Sequence, residues 1–98
     1  MSILLINPSG GYHHEYPPLG LLYIASVLRD LGRTVTFFDE GALADPAERF
    51  LEVFNASRPK YIGLTLYTTN LSRAYEIIGR IRECAPDTIV IVGGPHAT

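Results

Sequence analysis

The sequence has few cysteines, little excess charge and no long apolar run, and each shortage excludes a class of protein. Its single cysteine, Cys84, excludes a disulfide within the chain and any site built from several thiolates. Eight Lys and Arg against ten Asp and Glu give a net charge of -2, which provides no basic surface for a nucleic-acid backbone. No apolar segment approaches the ~20 residues that span a bilayer, and Met1–Ile3 lacks the charged start of a signal peptide. We therefore predict a cytoplasmic protein with no nucleic-acid partner and no membrane span.

What the sequence does contain is a regular alternation of short apolar segments and helical patterns over 98 residues. The predicted strands are Ile3–Ile6, Thr34–Asp39, Tyr61–Leu66 and Thr88–Val92. The predicted helices are Leu19–Leu31, 45–57 and Leu71–Ala85. Strands that alternate with helices imply a parallel sheet covered on both faces, with right-handed crossovers. We predict one α/β domain, residues 1–98, with a three-layer, doubly wound sheet of the Rossmann or flavodoxin-like type and strand order 2-1-3-4.

The helix patterns also predict which side chains are buried. Apolar residues cover most of the circumference of the first helix, so we expect it to be largely buried. In the third helix, one apolar stripe has helical spacing: Leu71, Tyr75, Ile78, Ile81 and Ala85. Glu76 and Arg80 are spaced as an i,i+4 ion pair, and we expect Cys84 to be buried or half-buried.

The alternation stops soon after the fourth predicted strand, where Ala97 and Thr98 look like the start of another helix. A doubly wound sheet of this type usually continues into a fifth strand. Without one, the fourth strand is a bare apolar edge that invites pairing with another chain. We therefore expect residues 1–98 to be a fragment of a longer enzyme, truncated before the fifth strand.

The unusual residues of the chain lie in the loops that follow the predicted strands. Parallel sheets bind ligands beyond the carboxyl ends of their strands, where the strand order reverses. The loop 7–18 is about twice the usual ~2–6 residues, and it carries His13 and His14 with several glycines, tyrosines and prolines. The loops 67–70 and 93–96 carry further polar residues and glycines. This coincidence predicts a small-molecule site at the carboxyl edge of the sheet.

The common nucleotide motifs do not account for these loops. A dinucleotide site needs G-x-G-x-x-G directly after the first strand, whereas the chain has only Ser9-Gly10-Gly11 there. Asp39 fits an acid that holds a ribose, but it fits a solvent-exposed strand end equally well. From the residues alone, a nucleotide- or sugar-nucleotide-binding half-domain and a non-catalytic protein-interaction domain both stay open as alternatives.

Several segments together resemble a known family. They are Ile3–Pro8, Tyr16–Ala25 with its Pro-Pro-Leu-Gly-Leu core, Ile62–Leu66, and 92–98 with Gly-Gly-Pro-His-Ala-Thr. In these segments the chain resembles the N-terminal cobalamin-binding domain of cobalamin-dependent radical-SAM enzymes, and in particular the anaerobic magnesium-protoporphyrin IX monomethyl ester cyclase branch. The resemblance covers nearly the whole chain.

The resemblance implies a cofactor and a set of residues that bind it. The cofactor is cobalamin, while a 4Fe–4S cluster and S-adenosylmethionine belong to a downstream radical-SAM domain of the same polypeptide, outside this chain. Thr65 is expected to hydrogen-bond the buried benzimidazole nitrogen, and glycines let the backbone approach the cofactor closely. The cofactor-binding residues that the resemblance implies are Asn7, Ser9, Gly10, Gly11, Tyr16, Thr65, Tyr67, Thr68, Asn70, Gly93, Gly94 and Pro95.

The chain departs from related cobalamin domains at the metal. Methyltransferase and mutase domains carry D-x-H-x-x-G after the first strand, and its histidine binds cobalt. Aligned at Asn7, this chain has Ser9 in place of the histidine and Tyr12 in place of the last glycine. The radical-SAM branch is similar in lacking that histidine, so no metal ligand is predicted. The resemblance implies that residues 1–98 alone are no catalyst. It also implies that the parent enzyme is either an oxidoreductase or cyclase of tetrapyrrole biosynthesis, or a methyltransferase.

Overall fold

Four parallel strands form the central sheet, in the order β2-β1-β3-β4 that the sequence predicts. The structure is a computed structural model that describes residues 2–8, 19–40, 46–67 and 70–94. The strands are β1 (Ser2–Asn7), β2 (Thr34–Asp39), β3 (Tyr61–Thr65) and β4 (Ile89–Gly93). The helices are α1 (Leu19–Asp30), α2 (Pro46–Ser57) and α3 (Leu71–Cys84). The architecture is the predicted α/β, flavodoxin-like fold.

The sheet separates two apolar cores, because successive side chains of a strand point to opposite faces. Leu4, Ile6 and Ile62 point to the larger core, which is completed by α2 and α3. Leu5 points to a smaller core, which it shares with Val35 and with residues of α1. The continuous apolar run of β1 is therefore explained by burial on both faces.

The helix boundaries follow signals that are visible in the sequence. Gly32 has φ +81° directly after α1, a left-handed conformation in which glycine carries no steric cost. Pro46 is the first residue of α2, where its missing N–H costs no hydrogen bond. The cap predicted at Asp45 lies outside the described residues. No helix in the described ranges is long and apolar enough to cross a membrane.

The expectation that α1 is largely buried is wrong. From Gly20 to Asp30, only Leu21 and Ala25 are buried. Five large apolar side chains are 38% to 73% exposed: Leu22, Tyr23, Ile24, Val27 and Leu31. Within the described residues, α2 and α3 pack in the larger core on the opposite face, so no other helix covers the outer side of α1. The apolar residues of α1 form a helix as predicted, but their pattern does not show whether another element packs against them.

The buried stripe of α3 is also rotated relative to the prediction. Ala74, Ile77 and Ile81 face the core, whereas Tyr75 is 63% exposed. Ala74, Ile77 and Ile81 are spaced three and four residues apart and so share one face of the helix, which places the neighbouring Tyr75 on the outer side.

Two further predictions about α3 fail at its ends. At the start, Glu76 pairs with Arg73 at 3.2 Å and not with Arg80, because Arg73 is already held beside it by a residue of another element. At the last residue, Cys84 is exposed, since this position lies away from the buried stripe.

Candidate functional site

An apolar groove runs along β3 on the α1 side of the sheet. Its volume is about 540 Å³, within the usual ~300–1,000 Å³ of small-molecule sites. One wall is α1, through Leu21, Ile24 and Leu28, and the other is β4, through Ile91. Among the described residues, no charged or amide side chain lines it. We call this feature the apolar groove.

The groove exists because α1 covers only half of this face of the sheet. Leu21 and Ala25 pack against β1 and β2, which leaves the same face of β3 and β4 open. Gly63 deepens the floor, since a Cβ at this position would lie 2.8 Å from Leu5 Cδ2. Ile91 on the outer wall is 58% exposed. None of the described residues therefore packs over the middle of the groove.

At the carboxyl edge, the end of β4 approaches the end of β3 closely. The backbone N–H of Leu66 donates to the carbonyl of Gly93 over 2.7 Å. Gly94 has φ +95°, and a Cβ there would lie 2.7 Å from Thr65 Oγ1 and 2.9 Å from the carbonyl oxygen of Leu66. The fold itself therefore requires glycine at position 94, because no other residue type permits the end of β4 to lie so close to the end of β3.

Gly93 differs from its neighbour in what surrounds it. It pairs with Thr65 in register, so a side chain at 93 would point to the same face as Thr65, into the apolar groove. A Cβ there would meet no atom within 4 Å. Gly93 thus leaves space open in the groove, although the backbone at this position does not require a glycine.

Thr65 places a hydroxyl at the carboxyl end of the apolar groove. The residue is only 8% exposed, and it lines the groove together with Gly93. Within the described part of the chain, no hydrogen bond engages its Oγ1. Because no buried side-chain oxygen of the described residues lacks a partner, this hydroxyl keeps contact with solvent, and it can donate one hydrogen bond to a group inside the groove and accept others.

Asn7 connects the ends of β1 and β2. Its Nδ2 donates to Asp39 Oδ1 over 2.9 Å, and the Asn7 side chain is buried. Asp39 takes part in further interactions. In this arrangement the amide of Asn7 orients the carboxylate of Asp39 at the edge where a ligand would lie.

Asn70 fixes the loop between β3 and α3. Its Oδ1 accepts from the backbone N–H of Tyr67 at 2.8 Å, while its Nδ2 donates to the carbonyl oxygens of Thr65 at 3.0 Å and Pro8 at 3.4 Å. Asn70 is one of the cofactor-binding residues that the resemblance implies, and that prediction stays untested. Within the protein, its amide holds the strand end that carries Thr65.

A buried ion pair at the same edge was missed from the sequence. Glu40 follows β2 and its side chain is 0% exposed, and Arg73 contacts it through two bonds: Nε to Oε1 at 2.9 Å and Nη2 to Oε2 at 2.8 Å. Hydrogen bonding to Glu40 raises the pKa of Arg73 above its ordinary value. The pair connects the start of α3 to the end of β2. The only sign of it in the sequence is a charged residue, Glu40, directly after a predicted strand.

The described residues thus bring together part of the predicted site. Thr65, Tyr67, Gly93 and Gly94 line the apolar groove, and Asn7 and Asn70 lie beside its carboxyl end with partners inside the protein. The predicted residues outside the described ranges are Ser9, Gly10, Gly11, Tyr16, Thr68 and Pro95. The described residues contain no group of three or more His, Cys, Asp or Glu side chains arranged to hold a metal.

A doubly wound sheet with a ligand-sized groove at its carboxyl edge defines a class of cofactor- and nucleotide-binding domains. Comparison with known proteins shows to which family within this class the chain belongs. The profile described as "B12 binding domain" matches residues 9–98. The chain belongs to the B12-binding domain family.

Two relatives agree with this assignment. The anaerobic magnesium-protoporphyrin IX monomethyl ester cyclase of Rubrivivax gelatinosus is 29% identical over 104 aligned positions, which cover 100% of this chain and 19% of that enzyme. An uncharacterized methyltransferase of Pyrococcus horikoshii is 28% identical over 91 positions, covering 84% of this chain and 18% of that protein. The chain therefore spans about a fifth of the length of these relatives. No solved structure matches the chain significantly.

Proposed function

We propose that the chain binds cobalamin, with the nucleotide tail of the cofactor in the apolar groove and the corrin ring over the carboxyl edge of the sheet. The observation that carries this proposal is the Thr65 hydroxyl. It belongs to a buried residue at the carboxyl end of the groove, and no hydrogen bond among the described residues engages it. This is the position at which the family resemblance places a hydrogen bond to the benzimidazole nitrogen.

The shape and polarity of the groove fit such a tail. A benzimidazole is a flat apolar ring system, and the groove offers it apolar walls from Leu21, Ile24 and Ile91. Gly63 and Gly93 remove side chains from the floor and the upper wall. Burial of apolar surface at both ring faces favours binding by ~25 cal/mol per Å² removed from water, before the ordering cost of association.

The remaining described residues prepare this site. Asn70 holds the backbone of Thr65, and the Glu40–Arg73 pair fixes the start of the helix that carries Asn70. Asn7 orients Asp39 at the carboxyl ends of β1 and β2. We assign to the predicted residues in that loop, and to Thr68 and Pro95, contacts with the corrin ring. Bound cobalamin supplies a cobalt centre that can carry a methyl group or take part in a radical oxidation.

We further propose that the parent polypeptide is a cobalamin-dependent radical-SAM enzyme. The cyclase and methyltransferase relatives support the two reaction types expected for it. In this proposal a 4Fe–4S cluster and S-adenosylmethionine are bound by a downstream domain, and residues 1–98 position cobalamin against it. The residues of this chain bind and orient the cofactor, while the reaction takes place at the junction with that domain.

A titration tests the binding proposal. Hydroxocobalamin is added to the full natural polypeptide, and the visible spectrum is followed with isothermal calorimetry. Gly93→Leu fills the upper wall of the groove in a place where a Cβ meets no protein atom, so we expect binding at least tenfold weaker without loss of stability. Gly79→Leu is the matched control, since Gly79 is exposed on α3 and its Cβ also meets no atom.

The control should bind hydroxocobalamin as the natural protein does. If the natural protein shows no spectral change or heat, the proposal fails. It also fails if Gly93→Leu and Gly79→Leu bind equally well, because the groove would then not hold any part of the cofactor.

A further inference from the structure

We propose that Asn70 is a positioning residue for the cofactor: its side-chain amide joins the diverging ends of β1 and β3 and so sets where the Thr65 hydroxyl lies. This inference rests on the proposed cobalamin-binding function and deepens it, because it gives Asn70 a part in binding that needs no contact with the cofactor. The basis is the set of partners that the amide takes.

The two central strands separate at their carboxyl ends. In the register of β1 with β3 the last pair is Ile6 with Leu64, whereas Asn7 of β1 still pairs with Asp39 of β2. This is the point at which the strand order reverses, and doubly wound sheets bind their ligands there. Beyond Leu64, the backbone ladder therefore no longer joins β3 to β1.

Asn70 supplies a bridge at this point. Its Nδ2 carries two hydrogens and donates to the carbonyl oxygen of Thr65 at 3.0 Å and to that of Pro8 at 3.4 Å. Thr65 is the last residue of β3 and Pro8 directly follows β1, so one amide group joins both strand ends. Because Asn70 is only 2% exposed, little water competes for these bonds.

The place of Asn70 in the fold offers its side chain another partner, which it does not use. Asn70 is the N-cap residue of α3, where an asparagine side chain commonly accepts a hydrogen bond from the first turn of its own helix. No such bond forms, and Oδ1 accepts instead from the backbone N–H of Tyr67 at 2.8 Å. The amide is thus directed at the strand ends and the loop after β3. A residue that served only to start the helix would make the opposite choice.

The bond to Thr65 restrains the residue that carries the proposed contact with the cofactor. The carbonyl that Asn70 holds and the hydroxyl belong to the same residue, so a shift of the strand end moves both. On the β4 side this end is already restrained, because Leu66 N–H donates to the carbonyl of Gly93 at 2.7 Å. Asn70 provides the matching restraint on the β1 side. A group that binds a ligand has to be held to within about 0.5 Å, so loss of the amide should weaken binding through Thr65.

Asn70→Ser tests the inference in the full natural polypeptide, titrated with hydroxocobalamin by calorimetry. Serine is as good an N-cap as asparagine, so the start of α3 keeps its support, but a hydroxyl has one hydrogen and cannot donate to both carbonyls. We expect the affinity to fall about tenfold, the lower end of the ~10–100-fold loss that follows removal of groups that orient metal ligands. Asn55→Ser, the same change at an exposed position of α2, is the matched control and should bind as the natural protein does.

Phe54→Ala separates positioning from stability. Phe54 is buried in the larger core, near the end of α2, so this variant should unfold at lower urea than Asn70→Ser and still bind with the natural affinity while folded. If Phe54→Ala loses as much affinity as Asn70→Ser, the effect is one of stability and the inference fails. An Asn70→Ser protein that does not fold would also overturn it, because the amide would then be a requirement of the fold itself.

A double-mutant cycle with Thr65→Val tests whether Asn70 acts through Thr65. This change keeps the shape of the side chain and removes a hydroxyl that no hydrogen bond among the described residues engages. Alone, it should weaken binding about tenfold. The double variant should then bind about as Thr65→Val does, because the group that Asn70 positions is already gone. A further tenfold loss in the double variant, or no loss in Thr65→Val alone, would overturn the inference.

The same titrations distinguish the two proposals. If the natural protein binds hydroxocobalamin and Asn70→Ser binds equally well, the inference is refuted and the proposed function stands. If the natural protein does not bind, the proposed function fails and this inference fails with it.

Discussion

Replacing Gly94 by alanine should destabilise the fold although only one methyl group is added. The residue has φ +95°, and an L-residue in the left-handed region costs ~1–2 kcal/mol. The new Cβ would lie 2.7 Å from Thr65 Oγ1, 2.9 Å from Leu66 O and 3.0 Å from Leu66 N. Two of these three atoms belong to the backbone and cannot rotate away.

The clash also acts on a hydrogen bond. To relieve it, the end of β4 must move from the end of β3, which lengthens the 2.7 Å bond from Leu66 N to Gly93 O. A backbone hydrogen bond contributes ~0.5–1.5 kcal/mol net. Together with the conformational cost, we expect Gly94→Ala to lower the free energy of unfolding by about 2–3 kcal/mol.

Urea denaturation followed by circular dichroism measures this loss, with Gly93→Ala as the matched control. Gly93 is one residue away, its φ is not among the positive values, and its Cβ would meet no atom within 4 Å. Alanine there should be neutral or should stabilise the protein by up to ~1 kcal/mol, because it restricts the unfolded chain. If the two variants unfold within ~0.5 kcal/mol of each other, the close approach of the two strand ends is not what requires glycine at 94.

Three further predictions concern the elements that support the groove. Arg73→Met should cost about 3 kcal/mol or more, because it removes the two charged hydrogen bonds that Arg73 donates to the buried carboxylate of Glu40. Since Glu40 raises the pKa of Arg73, the pair's contribution is full below the ordinary arginine pKa and is lost only as pH rises above it, so unfolding at about pH 7 and about pH 10 should show the same difference from the natural protein. Ile77→Ala should cost ~2–5 kcal/mol and Tyr75→Ala less than ~0.5 kcal/mol, and the reverse ranking in urea would contradict the observed rotation of α3. Asn70→Ala should cost ~2–3 kcal/mol by leaving buried backbone groups unpaired, and a thermal melt equal to that of the natural protein would show that the loop does not depend on this side chain.

Local residue patterns were enough to predict the sheet. The continuous apolar runs of β1 and β3 indicate strands that are buried on both faces. Between the strands, apolar residues recur at α-helical spacing. Once these elements alternate, the rules of parallel sheets leave few topologies, and the observed order is the one expected when β1 and β3 are central. The position of Thr65 and Gly93 at the ends of neighbouring strands follows from that order.

The interior of the site was less accessible to prediction. Two stripes of α3 have helical spacing, one through Tyr75 and one through Ile77, and the spacing alone does not decide which of them faces the core. Glu40 and Arg73 are 33 residues apart, so only the assembled topology brings them together. The backbone partners of Asn70 could not be predicted either, because a polar loop side chain gives no sign of which groups it will bond.

The unequal anchoring of the three helices has a consequence for motion. α1 is held by the small side chain of Ala25 and by Leu21, whereas α2 buries two phenylalanines and α3 buries two isoleucines. Regions with few buried apolar contacts open at lower free energy than the rest of a protein. Amide hydrogens of α1 should therefore exchange with solvent before those of α3. Since α1 is the wall of the groove, a tail bound there would slow that exchange, and local folding of the first helix would become part of cofactor binding.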